Sequence, residues 1–167
     1  MKIQIIGYAG SGKSTLARRL GKRFNIPILH LDSVQFYGDW QERTLEQKNE
    51  IVGQFLKENN EWVIEGNYTS VCPERFEQSD MTIFLNYNRL YCFSKVCKRY
   101  RENKGKCRED LPCKERLNWT FAKWVLYKGR TKFCKNRHLS NLNKTSGKKL
   151  TFKNVRQLNK YLKDNNL

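Results

Sequence analysis

The nine residues from Gly7 to Thr15, GYAGSGKST, constrain what this chain can fold into more than any other stretch. They fit G-x-x-x-x-G-K-[ST] through Gly7, Gly12, Lys13 and Ser14. The apolar run KIQIIG (2–7) precedes them, and Leu16, Leu20 and Phe24 follow at helical spacing. A strand, a glycine-rich turn and a helix in that order wrap backbone N–H groups and a helix N-terminus around phosphate oxygens. The spacing predicts an ATP-binding loop made of Gly7, Tyr8, Ala9, Gly10, Ser11, Gly12, Lys13, Ser14 and Thr15. In such a loop the lysine bridges the β- and γ-phosphates and the serine hydroxyl ligates Mg2+.

A strand of this kind needs neighbours. Four further runs read as strands: IPILHL (26–31), WVIE (62–65), MTIFLN (81–86) and KKLTF (148–152). Most are nearly continuous in apolar residues, as strands buried on both faces of a parallel sheet are. Between them the spacing turns helical, through Val52, Phe55 and Leu56, then Phe93, Val96, Cys97 and Tyr100. Leu117, Phe121, Trp124 and Val125 form another apolar face, and Val155, Leu158 and Leu162 the last. This alternation predicts an α/β sandwich with a parallel sheet and right-handed crossovers. The loop 103–112 and the polar stretch 137–147 are expected to be the mobile segments.

Two carboxylates fall where strands should end. Asp32 closes LHLD, and strand C-termini open onto the ligand crevice of such sheets. A carboxylate there orients an acceptor hydroxyl, takes its proton, or holds Mg2+ through water; capping a following turn is the alternative role. Glu65 ends the third strand in WVIEGNY, beside the expected metal, unless it marks only an ordinary strand exit. Gly66 gives the backbone room, and Asn67 and Tyr68 are expected to face substrate. His30 reads as a buried strand residue.

The 167 residues suit one domain, and the 33 Lys/Arg against 16 Asp/Glu leave a formal charge of +17. The region 89–137 holds sixteen Lys/Arg against four Asp/Glu and so carries +12 of it. Such charge predicts anionic ligands, including weak binding of DNA or RNA. No run approaches the ~18 apolar residues of a membrane span. The opening apolar run stops at Gly7, short of a signal peptide, so the six cysteines are expected reduced, in the cytoplasm. The C-x5-C and C-x3-H spacings of Cys107, Cys113, Cys134 and His138 lack the paired C-x-x-C of structural zinc sites.

Taken together, GYAGSGKST, HLD followed by Trp40, WVIEGNY, the basic helix through Arg99 and Arg101, KGKCREDLPCKERL and LTFKNVRQLNKYL resemble the adenylate-kinase-like P-loop proteins labelled DNA topology modulation proteins. The resemblance runs almost end to end. It implies a nucleoside-monophosphate-kinase fold with strand order 2-3-1-4-5 and a small lid, placed at about 101–116 of a single 1–167 domain. It also implies substrate contacts from Asp32, Trp40, Gly66, Asn67 and Tyr68, and a metal site drawn from Ser14, Asp32 and Glu65. The chain departs from the pattern in carrying Glu65 where that family usually has Asp. It also lacks the Arg that adenylate kinases place after this glycine; Arg75 is the nearest guanidinium.

On this reading KRYRENKGKCRED (98–110) is part of a lid. Phosphoryl transfer spreads charge over three oxygens, and planar guanidinium groups match it. Lys13, Asp32, Arg99, Arg108 and Arg116 are the expected catalytic set, with ATP and Mg2+ as cofactors. The expected activity is transfer of the ATP γ-phosphate to a small-molecule acceptor by a monomer or dimer. The alternative is an ATP-binding or ATP-hydrolysing protein that acts on DNA or RNA, with Tyr100, Trp119, Trp124 and Tyr127 as stacking platforms.

Overall fold

Burial sorts the strands into centre and edge in a computed structural model that describes residues 1–167 except Asp39 and Glu109. Strands β1 (Lys2–Gly7), β5 (Trp62–Glu65) and β6 (Met81–Leu85) are buried almost throughout, whereas β2 (Ile28–His30) and β7 (Lys148–Phe152) are not. The three apolar runs accordingly form the middle of a five-stranded parallel sheet, ordered β2-β5-β1-β6-β7. The expected order counted five strands. Two short strands, β3 (Phe36–Tyr37) and β4 (Gln41–Glu42), pair antiparallel in a separate hairpin and shift the numbering. Neither shows an alternating pattern long enough to detect.

The helices are α1 (Lys13–Phe24), α2 (Leu31–Gln35), α3 (Leu45–Glu58), α4 (Arg89–Asn103), α5 (Trp119–Leu126), α6 (Lys132–Lys144) and α7 (Val155–Asp164). Among the described residues, no helix is long and apolar enough to cross a membrane. One core joins β1 and β6 to Leu16, Leu20, Val96, Val125, Leu142 and Leu158; a second gathers Leu31, Val34, Val52, Trp62 and Ile64.

Three expectations change. The polar stretch 137–147 is mostly helix α6, not a loop. Its buried residues, Cys134, His138, Asn141 and Leu142, keep helical spacing, but two of the four are polar, so no apolar period shows. Polar partners replace apolar ones: Asn141 Nδ2 donates to Thr69 Oγ1 at 3.0 Å, and Thr145 Oγ1 to Thr82 Oγ1 at 2.6 Å. Trp124, assigned to the core, is half-exposed; Ala122 and Val125 make the buried face, and the indole lies over the Gly129 turn. Asp32 sits in the first turn of α2 rather than at a strand end, because β2 stops at His30 and Ser33 Oγ donates to His30 O at 2.7 Å.

Arg75 is fully buried and reaches no substrate. Its guanidinium donates to the carbonyls of Tyr68 (2.9 Å), Cys72 (3.2 Å) and Val71 and to Gln4 Oε1 (3.0 Å), and it lies over the Phe76 ring. The cation thus ties the 68–72 loop to β1. Arg75→Met removes these donors and strands buried carbonyls at about 1–3 kcal/mol each. Urea unfolding of that variant is expected to lose at least about 3 kcal/mol of stability.

Candidate active site

The loop 8–12 turns tightly because its glycines permit it. Gly10 has φ 77°, and a Cβ there would collide with the carbonyl of Cys92 on α4. Gly12 has φ 89° with open space beyond it, and it gives α1 no side-chain cap. No acidic residue stands in the first turn of α1 itself; the carboxylates that reach it, Glu65 and Asp110, come from other elements. Lys13 Nζ folds back onto Tyr8 O at 3.3 Å, over the space a phosphate chain would fill.

Two carboxylates stand near this turn, one from the end of β5 and one from the first turn of α2. Glu65, 2% exposed, accepts from Ser14 Oγ at 2.9 Å and from His30 Nδ1 at 3.0 Å. Burial pushes its carboxyl up, but the His30 bond, the Lys13 charge and the Ser14 bond outweigh this and hold it below the usual carboxylate value. Asp32, on α2, accepts from Tyr68 Oη at 2.8 Å. Burial and the neighbouring Glu65 charge raise its carboxyl above the ordinary Asp value, despite Lys13 and Tyr68. Burial and the same Asp32 contact push the Tyr68 phenol well up, so it stays a hydrogen donor. Two adjacent acids are thereby biased in opposite directions, Glu65 below its ordinary value and Asp32 above it.

Asn67 has a task the sequence reading missed. Its Nδ2 donates to Gly7 O at 2.7 Å and its Oδ1 accepts from Gly7 N at 3.0 Å. Both ends of the amide therefore brace the start of the phosphate loop. Gly66 (φ 138°) lets the chain pass Leu31, whose Cβ would lie 2.6 Å from a Cβ at this position. Gly66, Asn67 and Tyr68 line the main cleft of about 1670 Å³ together with Asp32, Trp40 and the loop residues Ala9 to Thr15.

The connection between α4 and α5 folds over the cleft. Glu115, 5% exposed, takes Arg99 at 2.9 Å and Arg108 at 2.9 Å, and Arg108 also pairs with Asp110 at 3.1 Å. Asp110 lies 3.9 Å from Arg18 of α1 and is held below the usual Asp value; burial opposes this, while Arg108 and the Ser14 hydroxyl favour it. Two of the guanidinium groups expected to meet phosphate, Arg99 and Arg108, are thus engaged by acids of this connection. Arg116 stacks over the Trp40 ring at 5.5 Å, and Trp40 Nε1 donates to Lys114 O at 3.1 Å, joining the hairpin to this connection. Asp110 and Glu115 were read only as parts of a charged run, because their burial depends on tertiary packing. Glu109, in the same run, lies outside the described residues.

Among the described residues, no group of three or more His, Cys, Asp or Glu is arranged to hold a metal ion directly, the zinc candidates included. The hydroxyl and carboxylate oxygens of Ser14, Glu65 and Asp32 are nonetheless the hard donors that Mg2+ takes, with water completing its shell.

No family model matches the sequence, and no curated protein matches it. Solved structures do. The deoxyadenosine kinase of M. mycoides with bound dATP aligns over all of both chains, at 16% identity and TM-score 0.57. The shikimate kinase of Acinetobacter baumannii in complex with shikimate aligns over 99% of this chain and 94% of its own, at 12% identity and TM-score 0.58. The shikimate kinase of Bacteroides thetaiotaomicron covers 99% and 98%, at 17% and 0.50. At such identities the matches show a fold shared with these kinases. Asn67→Ala, which loses the two hydrogen bonds to Gly7, is expected to weaken nucleotide binding about tenfold by calorimetry.

Proposed function

We propose that the chain is an ATP-dependent phosphotransferase that moves the γ-phosphate onto a hydroxyl of a small acceptor. The observation that carries this reading is that Lys13, Ser14 and Asp32 line one cleft, with Glu65 buried behind Ser14 and the two carboxylates biased in opposite directions. The shared fold with small-molecule kinases supports it.

The loop amides and Lys13 hold the β- and γ-phosphates. Ser14, with Glu65 and Asp32 through water, would hold Mg2+, which when bound neutralises charge on those oxygens. Asp32 is the base. Tyr68 occupies Oδ1, so Oδ2 is left to accept the acceptor's hydroxyl proton. The acceptor oxygen bonds to the γ-phosphorus, the bond to the β–γ bridging oxygen breaks, and ADP leaves with that electron pair. A carboxyl raised above its ordinary value is a better base near neutral pH than a free Asp. The 101–116 segment serves as a lid: on closure Arg99, Arg108 and Arg116 exchange their present partners for phosphate oxygens, and water is excluded.

A second reading has its own observation. Trp119, Tyr127 and Phe133 are 72%, 63% and 73% exposed, and Lys123, Arg89 and Arg137 lie 5.3 to 6.0 Å over their rings. Such a face suits stacking against a nucleic acid, so the alternative is an ATP-hydrolysing protein acting on DNA or RNA.

Lys13→Ala is expected to abolish Mg·ATP binding by calorimetry with the circular dichroism spectrum unchanged; unaltered affinity would refute the phosphate loop. Asp32→Asn is expected to keep ATP affinity within about threefold and slow transfer by roughly 10²–10⁴. The sign of the Asp32 shift also fixes a pH profile: kcat falls as pH drops through a value above that of an ordinary Asp, and this acid limb disappears in Asp32→Asn.

The two readings separate at the lid. Arg108→Ala and Arg116→Ala should depress turnover while leaving the salt slope of DNA binding unchanged. A phosphate grip would instead lose about one unit of slope per contact. Strong stimulation of ATP hydrolysis by DNA, lost in both variants, would favour the second reading.

A further inference from the structure

Beside the phosphate loop, and separate from the metal-side carboxylates, lies a recess of about 30 Å³. Its walls are Tyr8 and Ala9 of the loop, Asn67, Trp124, and Arg130, Arg137 and His138 from the α5–α6 region. No Asp or Glu lines it, and among the described residues neither arginine forms a salt bridge.

Arg130 is fixed rather than solvated. Its guanidinium carbon sits 3.6 Å from the centre of the Tyr8 ring, Nη1 donates to Tyr87 O at 2.6 Å, and Nε donates to Val125 O at 3.3 Å. The remaining nitrogen, Nη2, is buried with no partner. His138, 3% exposed, also lines the recess and leaves Nδ1 without a partner. Burial and the Lys13, Arg137 and Arg130 charges lower its imidazole to about 4, so it is neutral at physiological pH. Buried polar nitrogens are costly to leave unmade, and the side chains that carry these two both line the recess, so a hydrogen-bonding group that Arg130 can donate to fits beside them.

We propose that this recess is an anion site that takes a carboxylate or phosphate-monoester group of the acceptor. Its volume matches about two waters at ~10–15 Å³ each, the size of an anionic head and too small for a nucleobase. Arginine suits either group, because its planar donors pair with two oxygens at once. Ala9, Asn67, Trp124 and Arg137 line both the recess and the main cleft, so a ligand anchored by its anion extends toward Asp32. The word acceptor rests on the phosphotransferase reading; the anion site itself does not.

The test keeps the two apart. With the phosphate loop filled by a non-hydrolysable ATP analogue and Mg2+, inorganic phosphate and acetate are titrated separately and tryptophan fluorescence is followed. Trp124→Phe identifies the signal from the recess. A saturable change is expected with at least one probe, weakened about tenfold or more in Arg137→Met, as losing a charge-assisted contact predicts. Arg137 carries the test because Arg130 also braces Tyr8 and Tyr87. Asp32→Asn should retain the response, although it lacks the proposed base. Response to phosphate alone assigns a phosphate monoester, and response to acetate alone a carboxylate. A transfer screen then compares matched acceptors: nucleosides with their 5′-monophosphates, and hydroxy acids with their amides. The anionic members should be preferred, with Arg137→Met raising their KM while leaving the KM for ATP unchanged. No saturable response to either probe, or an undiminished one in Arg137→Met, overturns the site. Anion binding without transfer to any acceptor would keep the site and refute the phosphotransferase.

Discussion

The buried carboxylate of Glu65 is the point on which the functional half of the molecule turns. It sits at the end of a central strand and joins the first turn of α1, through Ser14, to the end of β2, through His30. A charge at this depth is tolerated only because hydrogen bonds and Lys13 surround it. Burial and then this same charge raise the Asp32 carboxyl, so one buried anion both accepts from Ser14 and biases its neighbour. Gln in its place would keep the shape and remove that bias.

Opposing charge governs the covering segment in a different way. Glu115 holds two guanidinium groups that a phosphate would also attract. An arginine already paired is pre-aligned and partly desolvated, so its exchange of one anion for another needs little new ordering. The +12 region is thus less uniformly basic than its composition suggests, since Asp110 and Glu115 stand at its centre.

The phosphate loop, the five sheet strands and most helices were legible because each carries a local signature: glycine spacing, continuous apolar runs, or a 3.6-residue period. What escaped has no such signature. Helix α6 buries polar side chains, Arg75 behaves as a core residue despite its charge, and Asn67 braces a backbone 60 residues away. Arg130 and Arg137 looked like two more members of a basic run, and only the folded chain sets them beside Tyr8. Burial and long-range pairing decide these cases, and neither is a property of neighbouring residues in sequence.

Among the described residues the β3–β4 hairpin pairs with no strand of the main sheet, yet Phe36, Trp40 and Glu42 form part of the cleft wall. It is anchored at its base by Arg43, whose Nη1 binds the carbonyls of Ser33, Val34 and Phe36. At its turn Trp40 is tied to the α4–α5 connection through Lys114 O and the Arg116 guanidinium. Part of the cleft wall thus belongs to a small unit set apart from the sheet that carries the loop 8–12.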